Sequence, residues 1–241
     1  MALQRLIEMI YPPQCLLCDA ETDADFGLCG ACWTDVEFLS EPQCRFCGAE
    51  VLGDPKAETV QSCEDCFSSE RPWIRGTSVA RYSGAMRKLV LLLKHGDRTD
   101  IARGLGQMLE RAAERLQLSD PLVVPIPLHW TRLLRRRYNQ SAFIAQALVG
   151  QTGWTCLEDG LVRCKRTRSL DGQSRDQRFD RLDGAIRANH NHLAAFSGRS
   201  ILLVDDVMTS GATCTSATRA ALCAGANDVS VLTLARVAKE A

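Results

Sequence analysis

The fold is indicated most clearly by residues 201–213, which read Ile201-Leu202-Leu203-Val204-Asp205-Asp206-Val207-Met208-Thr209-Ser210-Gly211-Ala212-Thr213. Its first four residues are apolar, as is typical of a buried strand, and two carboxylates follow them. A turn of small and hydroxyl-bearing residues then leads into an alanine-rich helix. Ligands of open α/β sheets bind outside the carboxyl ends of the strands, so this segment predicts a binding site at that edge of a sheet.

The turn in this segment has the features of a phosphate-binding loop. Its backbone N–H groups can surround a phosphate, and the dipole of the following helix favours an anion at the helix N-terminus. Asp205 and Asp206 lie too close to that phosphate to bind it, and their carboxylates suit ribose hydroxyls or a hydrated Mg²⁺. The segment therefore predicts a site for a ribose 5-phosphate group with a metal nearby. The alternative is that the two acids only cap the turn.

The segment resembles the motif that binds phosphoribosyl pyrophosphate (PRPP) in type I phosphoribosyltransferases, and the match covers all thirteen residues. The resemblance implies that Asp205 and Asp206 hold the ribose 2- and 3-hydroxyls and that Mg²⁺ binds with PRPP. It also implies that the following loop wraps the 5-phosphate. That loop consists of Thr209, Ser210, Gly211, Ala212 and Thr213. The segment is not a P-loop, because it lacks the pattern Gly-x-x-x-x-Gly-Lys-Ser/Thr.

The length of 241 residues fits one large domain, or one domain with a small module. An apolar content of 46% is enough for a core, yet no run approaches the ~20 apolar residues of a membrane helix. Residues 1–10 have apolar positions at helical spacing, but Arg5 and Glu8 lie among them, unlike a secretory signal. We therefore expect a cytoplasmic protein with no membrane partner.

The net charge of zero hides an uneven distribution along the chain. Residues 1–70 contain 3 Lys/Arg and 14 Asp/Glu, whereas residues 71–120 contain 10 and 5, and residues 121–199 contain 13 and 6. An acidic N-terminal part is thus joined to a basic body. The basic body suits a polyanionic partner such as pyrophosphate or single-stranded DNA, although an ordinary solvated surface explains part of the surplus equally well.

Eight of the twelve cysteines form four Cys-x-x-Cys pairs in the first 66 residues. The two-residue gap lets both sulfurs of a pair reach one tetrahedral ion, and two pairs complete a structural Cys₄ zinc site. We therefore expect two structural zinc ions in a module formed by residues 1–70, followed by a larger domain formed by residues 71–241. The predicted ligands are Cys15, Cys18, Cys29, Cys32, Cys44, Cys47, Cys63 and Cys66.

Two other uses of these cysteines compete with zinc binding. A disulfide framework requires an oxidising compartment, and no export signal is recognised. Redox chemistry also uses Cys-x-x-Cys, but four copies in a small acidic module argue against it. The pairing of the motifs is open. Sequential pairing keeps the loops short, whereas a crossed arrangement would join the first motif with the third.

The larger domain alternates apolar strands with helices, which predicts a mostly parallel, doubly wound sheet flanked by helices. Arg71-Pro72-Trp73 is interpreted as the linker that precedes it. Expected strands lie at 77–82, 122–124, within 154–162, at 201–204 and at 229–234, and expected helices at 85–94, 101–118, 140–150 and 213–224.

A second anion site is predicted where the strand at 122–124 ends. The strand leads into Pro125, Ile126, Pro127, Leu128 and His129, and a basic loop and a helix start follow. The basic residues of that loop are Arg132, Arg135, Arg136 and Arg137. In type I phosphoribosyltransferases the equivalent loop holds pyrophosphate, so the resemblance extends to this segment. The alternative is a basic helical face.

A long polar segment, residues 163–185, separates two predicted strands. Loops longer than ~12–15 residues are usually functional or disordered. Its position matches the flexible lid of type I phosphoribosyltransferases, which would exclude water from a reactive centre. Its basic residues include Arg163, Lys165, Arg175 and Arg178.

The order of these motifs resembles the ComF/GntX family of competence-type proteins over nearly the full length. That order is the cysteine pairs, a strand, Leu93-Lys94-His95, Val-Pro-Ile-Pro, Arg-Tyr-Asn-Gln, the lid and the Val-Asp-Asp motif. The catalytic half also resembles amidophosphoribosyltransferases, but the glutamine-hydrolysing domain with its first-residue cysteine is missing. The family resemblance implies a role in DNA uptake or in the use of DNA as a nutrient, with DNA-uptake proteins as partners.

The chain departs from the family pattern at several positions. Arg137 and Tyr138 replace the usual Gly and Phe of Arg-Gly-Phe-Asn-Gln, and Leu170 replaces the Gln of the lid motif Thr-x-x-Gln. Arg178 is followed by Arg181 where the family has Asn. The phosphate loop is intact, so the sequence supports PRPP binding better than turnover.

Three functions are compatible with these patterns. The first is transfer of the phosphoribosyl group from PRPP to a nitrogen nucleophile, with charge stabilisation by Mg²⁺ and arginines. His95 and His129 are weak candidates for a general base. The second is binding of single-stranded DNA, which would need aromatic platforms beside the basic groove. The third is an adaptor that docks partners through its zinc module.

Overall fold

A computed structural model describes residues 12–23, 25–52, 62–95, 98, 100–165, 182 and 184–237. The helical pattern of residues 1–10 and the lid residues 166–181 lie outside this range. Within it, no helix is long and apolar enough to cross a membrane.

The helices and strands follow one another in an alternating order after the cysteine pairs. They are α1 (Gly30–Thr34), α2 (Glu64–Phe67), β1 (Arg75–Arg81), α3 (Gly84–His95), α4 (Asp100–Gly104), α5 (Gly106–Glu114), β2 (Leu122–Pro125), α6 (Trp130–Arg136), α7 (Gln140–Thr152), β3 (Thr155–Cys156), β4 (Leu161–Arg163), β5 (Ile186–Ala188), a 3₁₀ turn (His190–His192), α8 (Leu193–Phe196), β6 (Ser200–Met208), α9 (Ala212–Cys223) and β7 (Asp228–Arg236).

Five strands form the main sheet in the order β1-β7-β6-β2-β3, and all neighbours are parallel. β6 lies at the centre, where Val204 pairs with Leu232 on one side and with Pro125 on the other. Because side chains alternate along a strand, Leu202 and Val204 enter one core and Leu203 enters the other. The predicted mostly parallel sheet flanked by helices, preceded by a cysteine-rich module, is confirmed.

Each face of the sheet carries its own hydrophobic core. On one face, apolar residues of α3, α4, α5 and α7 pack against the sheet, with Leu89, Leu109 and Leu148 fully buried. On the other face, α9 contributes Ala217 and Ala221. Burial of one such leucine stabilises the fold by roughly 1.5–3 kcal/mol, so these two cores hold the edge of the sheet in a fixed geometry.

Two predicted elements differ from the structure, and one strand was not predicted. The long helix at 101–118 is divided at Leu105 into α4 and α5, because the loop around Phe26 of the cysteine module crosses closely over Gly104, where a Cβ would overlap the Phe26 carbonyl. The single strand expected within 154–162 is two short strands. The second of these, β4, forms an antiparallel hairpin with β5, a strand that the sequence did not predict.

The segment 71–73, expected to be a linker, is instead part of the core. Trp73 is 1% exposed and Arg71 is 7% exposed. The Trp73 indole N–H donates to the Phe46 carbonyl at 2.6 Å. Phe46 lies in the turn that joins Cys44 and Cys47, the third cysteine pair. The same turn crosses β1 so closely that a Cβ on Gly76 would overlap the Phe46 carbonyl. The cysteine module and the sheet therefore share one packed interior at this place.

Candidate functional site

The acid pair lies within β6 and does not follow its end. The strand was expected to stop at Val204, but β6 runs through Met208, and Asp205 still pairs with Thr233 of β7. The reason is that β7 continues to Arg236 and supplies hydrogen-bond partners past the acids. The two carboxylates are consequently fixed by a sheet ladder at the carboxyl edge, where ligands of parallel sheets bind.

Asp205 is held by a neighbouring helix. The Ser141 hydroxyl, in the first turn of α7, donates to Asp205 Oδ1 at 2.8 Å, and the Asp206 backbone N–H donates to the same oxygen at 2.9 Å. Burial, followed by the negative charge of Asp206, raises the pKa of Asp205 to about 7. Asp205 therefore changes its charge near neutral pH.

Asp206 forms an ion pair with a lysine of α3. Lys94 Nζ, near the end of α3, lies 3.0 Å from Asp206 Oδ2, and both side chains are largely buried. The sequence prediction did not include Lys94 or Ser141 among the site residues. Lys94 belongs to the Leu93-Lys94-His95 motif quoted above, which was the available signal, whereas only the tertiary structure brings Ser141 to Asp205.

The predicted phosphate loop forms a tight turn at the start of α9. Gly211 has φ +81°, a left-handed conformation that glycine adopts without strain, and it is the N-cap of the helix. As the N-cap, Gly211 has no side chain to bond this end, Ser210 Oγ accepts the Ala212 N–H at 3.4 Å, and the first turn of α9 carries no acid. The N–H groups that the first turn of a helix leaves without intrahelical partners suit an anion, as at other phosphate-binding helix termini.

Two buried arginines donate hydrogen bonds to backbone carbonyl groups of this loop. Arg71 Nη1 donates to the Ser210 carbonyl at 2.8 Å, and Arg236 Nη1 donates to the Thr209 carbonyl at 2.7 Å. Both bonds take up carbonyl groups on the interior side of the loop. Thr209 is exposed and Thr213 is half-buried, so the opposite side of the loop faces outward.

The predicted pyrophosphate segment lies next to β6. The Ile126 N–H donates to the Val204 carbonyl at 2.9 Å, and the Asn139 side-chain amide donates to the Ile126 carbonyl at 3.1 Å. Pro125 is the last residue of β2, and Ile126, Pro127 and Leu128 follow as the connecting loop. This part of the prediction is placed at the same sheet edge as the acid pair.

The basic stretch after this loop is a helix, not the loop that was expected. α6 contains Arg132, and the His129 ring caps the helix by accepting the Thr131 N–H at 3.3 Å. Arg137 follows the last residue of α6 as its C-cap and has φ +66°, in the left-handed region. Glycine, which the resemblance leads one to expect at this position, adopts such a conformation without strain.

The start of the predicted lid adjoins this segment. Arg163 ends β4 and forms a parallel backbone bridge with His129. Lys165 follows within the described residues, and Arg175 and Arg178 lie outside them. The structure therefore brings the base of the lid beside the predicted pyrophosphate segment.

The cysteine pairs form two separate clusters, in sequential pairing. The first contains Cys15, Cys18, Cys29 and Cys32, and the second contains Cys44, Cys47, Cys63 and Cys66. In each cluster the four sulfur atoms lie within 4.8 Å of one another.

The sulfur spacing fits a tetrahedral zinc ion. A Zn–S distance of about 2.3 Å places tetrahedral sulfurs about 3.8 Å apart. The Cys18 and Cys29 sulfurs are 3.5 Å apart, and those of Cys47 and Cys63 are 3.6 Å apart. Four thiolates per ion complete closed structural sites, so the residues present can hold two zinc ions.

Fold and metal sites together define the class of protein: a parallel α/β domain preceded by a double zinc ribbon. Residues 6–67 match the family model described as "Double zinc ribbon domain". The chain is 31% identical over 190 residues to the DNA utilization protein YhgH of Salmonella typhimurium, covering 76% of this chain and 82% of that protein. It therefore belongs to the ComF family, in which YhgH and competence protein F are found.

Two further comparisons extend over more of the chain. YhgH of Escherichia coli K12 is 29% identical over 228 residues, which is 92% of this chain and 89% of that protein. Competence protein F of Haemophilus influenzae is 27% identical over 217 residues, 87% of this chain and 90% of that protein. Among solved structures, a glutamine PRPP amidotransferase from B. subtilis matches with a TM-score of 0.40 and 19% identity, covering 60% of this chain and 30% of that one.

Proposed function

We propose that this protein binds PRPP with Mg²⁺ at the carboxyl edge of the main sheet. The observation that supports this most is the position of two carboxylates in β6, one turn ahead of the N-terminus of α9, with Asp205 held by β7 and α7. Carboxylates suit the ribose hydroxyls and a hydrated Mg²⁺, and the helix terminus suits the 5-phosphate. Lys94, beside Asp206, supplies a cation for the pyrophosphate.

The reaction that fits this arrangement is phosphoribosyl transfer to a nitrogen nucleophile. The nitrogen forms a bond to C1 of the ribose, the bond from C1 to the pyrophosphate oxygen breaks, and pyrophosphate leaves with the electron pair. The nucleophile loses a proton in the same exchange. Asp205 and Asp206 would orient the ribose, and Lys94 would stabilise the negative charge of the leaving group.

The names of the relatives suggest the process that this chemistry serves. "DNA utilization protein" and "Competence protein F" are descriptions of proteins that match most of this chain. We infer a cytoplasmic role in the uptake or use of DNA, in which PRPP chemistry acts on material derived from DNA, and in which DNA-uptake proteins are partners.

Binding of single-stranded DNA is a second candidate function, favoured by an aromatic groove beside the proposed site. The groove has a volume of about 510 Å³ and is lined by Trp130, Tyr138, Phe143 and Arg163, among others. Trp130 is 62% exposed, so a base can stack on it. Sequence-independent binding of single strands combines such stacking with basic side chains.

Titration calorimetry with PRPP, with and without Mg²⁺, tests the first proposal. We expect Mg²⁺-dependent binding that ribose 5-phosphate reproduces more weakly. Loss of binding in the double variant Asp205→Asn/Asp206→Asn is expected, whereas Asp228→Asn, on the opposite edge of the same sheet, serves as a matched control. Binding that ignores Mg²⁺ or survives the double substitution would contradict the assignment. Release of pyrophosphate with a panel of nucleobases then tests for turnover.

Fluorescence anisotropy with a labelled oligonucleotide tests the second candidate. Single-stranded DNA should compete with PRPP, and its affinity should fall steeply with salt through counterion release. Replacement of Arg135, Arg136 and Arg137 with Ala should reduce the salt slope by up to about three units. DNA binding without a salt slope, or none at low salt, would exclude this function.

A further inference from the structure

Arg71 contacts both the second cysteine cluster and the proposed phosphate loop. Its Nε lies 3.4 Å from the Cys66 sulfur, and its Nη1 donates to the Ser210 carbonyl at 2.8 Å. A single buried guanidinium therefore contacts a predicted metal ligand and the phosphate loop at once. A Cβ added to Gly211 would lie 2.8 Å from Arg71 Nη1, so the guanidinium packs closely against Gly211 as well as Ser210.

Arg236 forms a second bridge from the end of β7. Its Nη1 donates to the Thr209 carbonyl at 2.7 Å and reaches the Met208 carbonyl at 3.3 Å. Its Nη2 lies 3.5 Å from Asp65 Oδ2, and Asp65 is located between Cys63 and Cys66. Arg236 is 4% exposed. Both bridging side chains are thus enclosed between the same cluster and the same loop.

Charge explains why two cations are buried here. A Zn²⁺ ion with four thiolates has a net charge of −2, and the guanidinium groups of Arg71 and Arg236 supply two positive charges next to it. Buried charges persist in proteins when they are paired. The ion would also fix the cysteine turns against which these two side chains pack, Arg71 at Cys66 and Arg236 at Asp65.

The first cysteine cluster packs against a different part of the protein than the second cluster. Its loops contact α4, where a Cβ on Gly104 would overlap the Phe26 carbonyl and approach Leu16 at 2.7 Å. The second cluster instead belongs to the core beneath the sheet, with Cys44, Cys47 and Cys66 buried beside Trp73.

We propose that Arg71 and Arg236 are positioning residues through which metal in the second cysteine cluster holds the loop Thr209–Gly211 in its anion-binding conformation. Metal in the first cluster has no such effect. The inference rests on the proposed function for the identity of the anion, and it assigns control of that site to one of the two metal centres.

The test uses the full-length protein and three variants, Arg71→Met, Arg71→Lys and Arg236→Met. Arg75→Met is the matched control, because Arg75 also donates to a backbone carbonyl, that of Leu116, away from the loop. Hydrogen exchange of the peptide spanning 206–215 is compared with that of β7, together with zinc content, thermal stability and affinity for Mg²⁺·PRPP.

In Arg71→Met and Arg236→Met we expect faster exchange in the loop at retained zinc content, and affinity weakened about tenfold, as for one lost charged hydrogen bond. Arg71→Lys should recover part of the loss, since a lysine reaches one partner but not both. In Arg75→Met, any change in the hydrogen exchange of the peptide 206–215 should be no larger than the change in the hydrogen exchange of β7. Unchanged loop exchange in both Met variants would overturn the proposal.

A second pair of variants separates the two metal centres. Cys63→Ser should accelerate loop exchange, whereas Cys18→Ser should not, and an equal effect of both substitutions would overturn the proposal. If wild-type protein fails to bind PRPP while loop exchange still depends on Arg71 and Cys63, the proposed function fails but the positioning role stands. If Cys63→Ser does not fold, partial removal of zinc from the wild-type protein with a chelator takes its place, and loop exchange that stays unchanged as the second cluster loses its ion would overturn the proposal.

Discussion

The raised pKa of Asp205 predicts that ligand binding at this site depends on pH in a way that a single substitution abolishes. A ribose hydroxyl donates its hydrogen bond to a carboxylate, so the ionised form of Asp205 is the form that binds. Its pKa of about 7 means that the group is half protonated at neutral pH and takes up a proton as the pH falls. Affinity for Mg²⁺·PRPP should therefore weaken below pH 7.

The size of the effect follows from the titration. Below its pKa a group loses its ionised form about tenfold per pH unit, so roughly 1% of Asp205 is ionised at pH 5. Affinity should fall up to about 100-fold between pH 7.5 and pH 5. Asp205→Asn should remove this dependence. At pH 8 it should weaken binding by about 1.5–3 kcal/mol, the range for a hydrogen bond to a charged group, which corresponds to about 10- to 150-fold.

Calorimetry of both proteins from pH 5 to pH 8.5 at fixed ionic strength is the appropriate assay. The phosphates of PRPP titrate in the same range, but they do so equally for both proteins, so the ratio of the two affinities isolates Asp205. Buffers with different ionisation enthalpies count the protons released on binding, and about half a proton is expected at pH 7. A ratio that does not change with pH would refute the assignment of Asp205 to the ribose.

Three further predictions follow from the described contacts. Asp205→Asn should raise the melting temperature at pH 8 but hardly at pH 4. The reason is that a carboxyl whose pKa is raised on folding contributes stability below its unfolded pKa and loses this contribution as the pH rises through about 7. An increase in melting temperature of the same size at both pH values would contradict this. Arg137→Gly should leave stability unchanged or raise it by up to about 1 kcal/mol in urea unfolding, since the left-handed conformation costs a non-glycine residue about 1–2 kcal/mol and glycine gives back part of this in chain entropy. Elemental analysis should find two zinc ions per chain and mass spectrometry no disulfides among the first eight cysteines, and one ion or fewer would require a different account of the clusters.

Much of the fold was predictable because its signals are local. An apolar run followed by two acids, a small-residue turn and an alanine-rich helix predicts a strand, a site and a helix from neighbouring residues alone. The spacing of the four cysteine pairs likewise depends only on the reach of two side chains across one turn. The alternation of apolar strands with helices predicts a parallel sheet, and ligands of such sheets bind at the carboxyl ends of the strands.

The tertiary structure decided the features that depend on residues far apart in the chain. Cys63 and Cys66 join Cys44 and Cys47, and not an earlier pair; Cys44, Cys47 and Cys66 are buried together with Trp73 in one core. The contact between Ser141 and Asp205 spans 64 residues, and that between Arg71 and Ser210 spans 139. No local pattern encodes such pairs, since each requires the whole sheet to place its partner.

The segment 71–73 shows the difference most plainly. As sequence, an arginine, a proline and a tryptophan after an acidic module indicate a linker, because charge and proline are typical of exposed chain. In the fold, the tryptophan fills the space between the third cysteine pair and β1, and the arginine joins the second cluster to the phosphate loop. The sequence determined the two metal-binding patterns and predicted the anion loop. Tertiary packing alone brings the second cysteine cluster against this loop, because the contact arises from burial of surfaces that are distant in the chain.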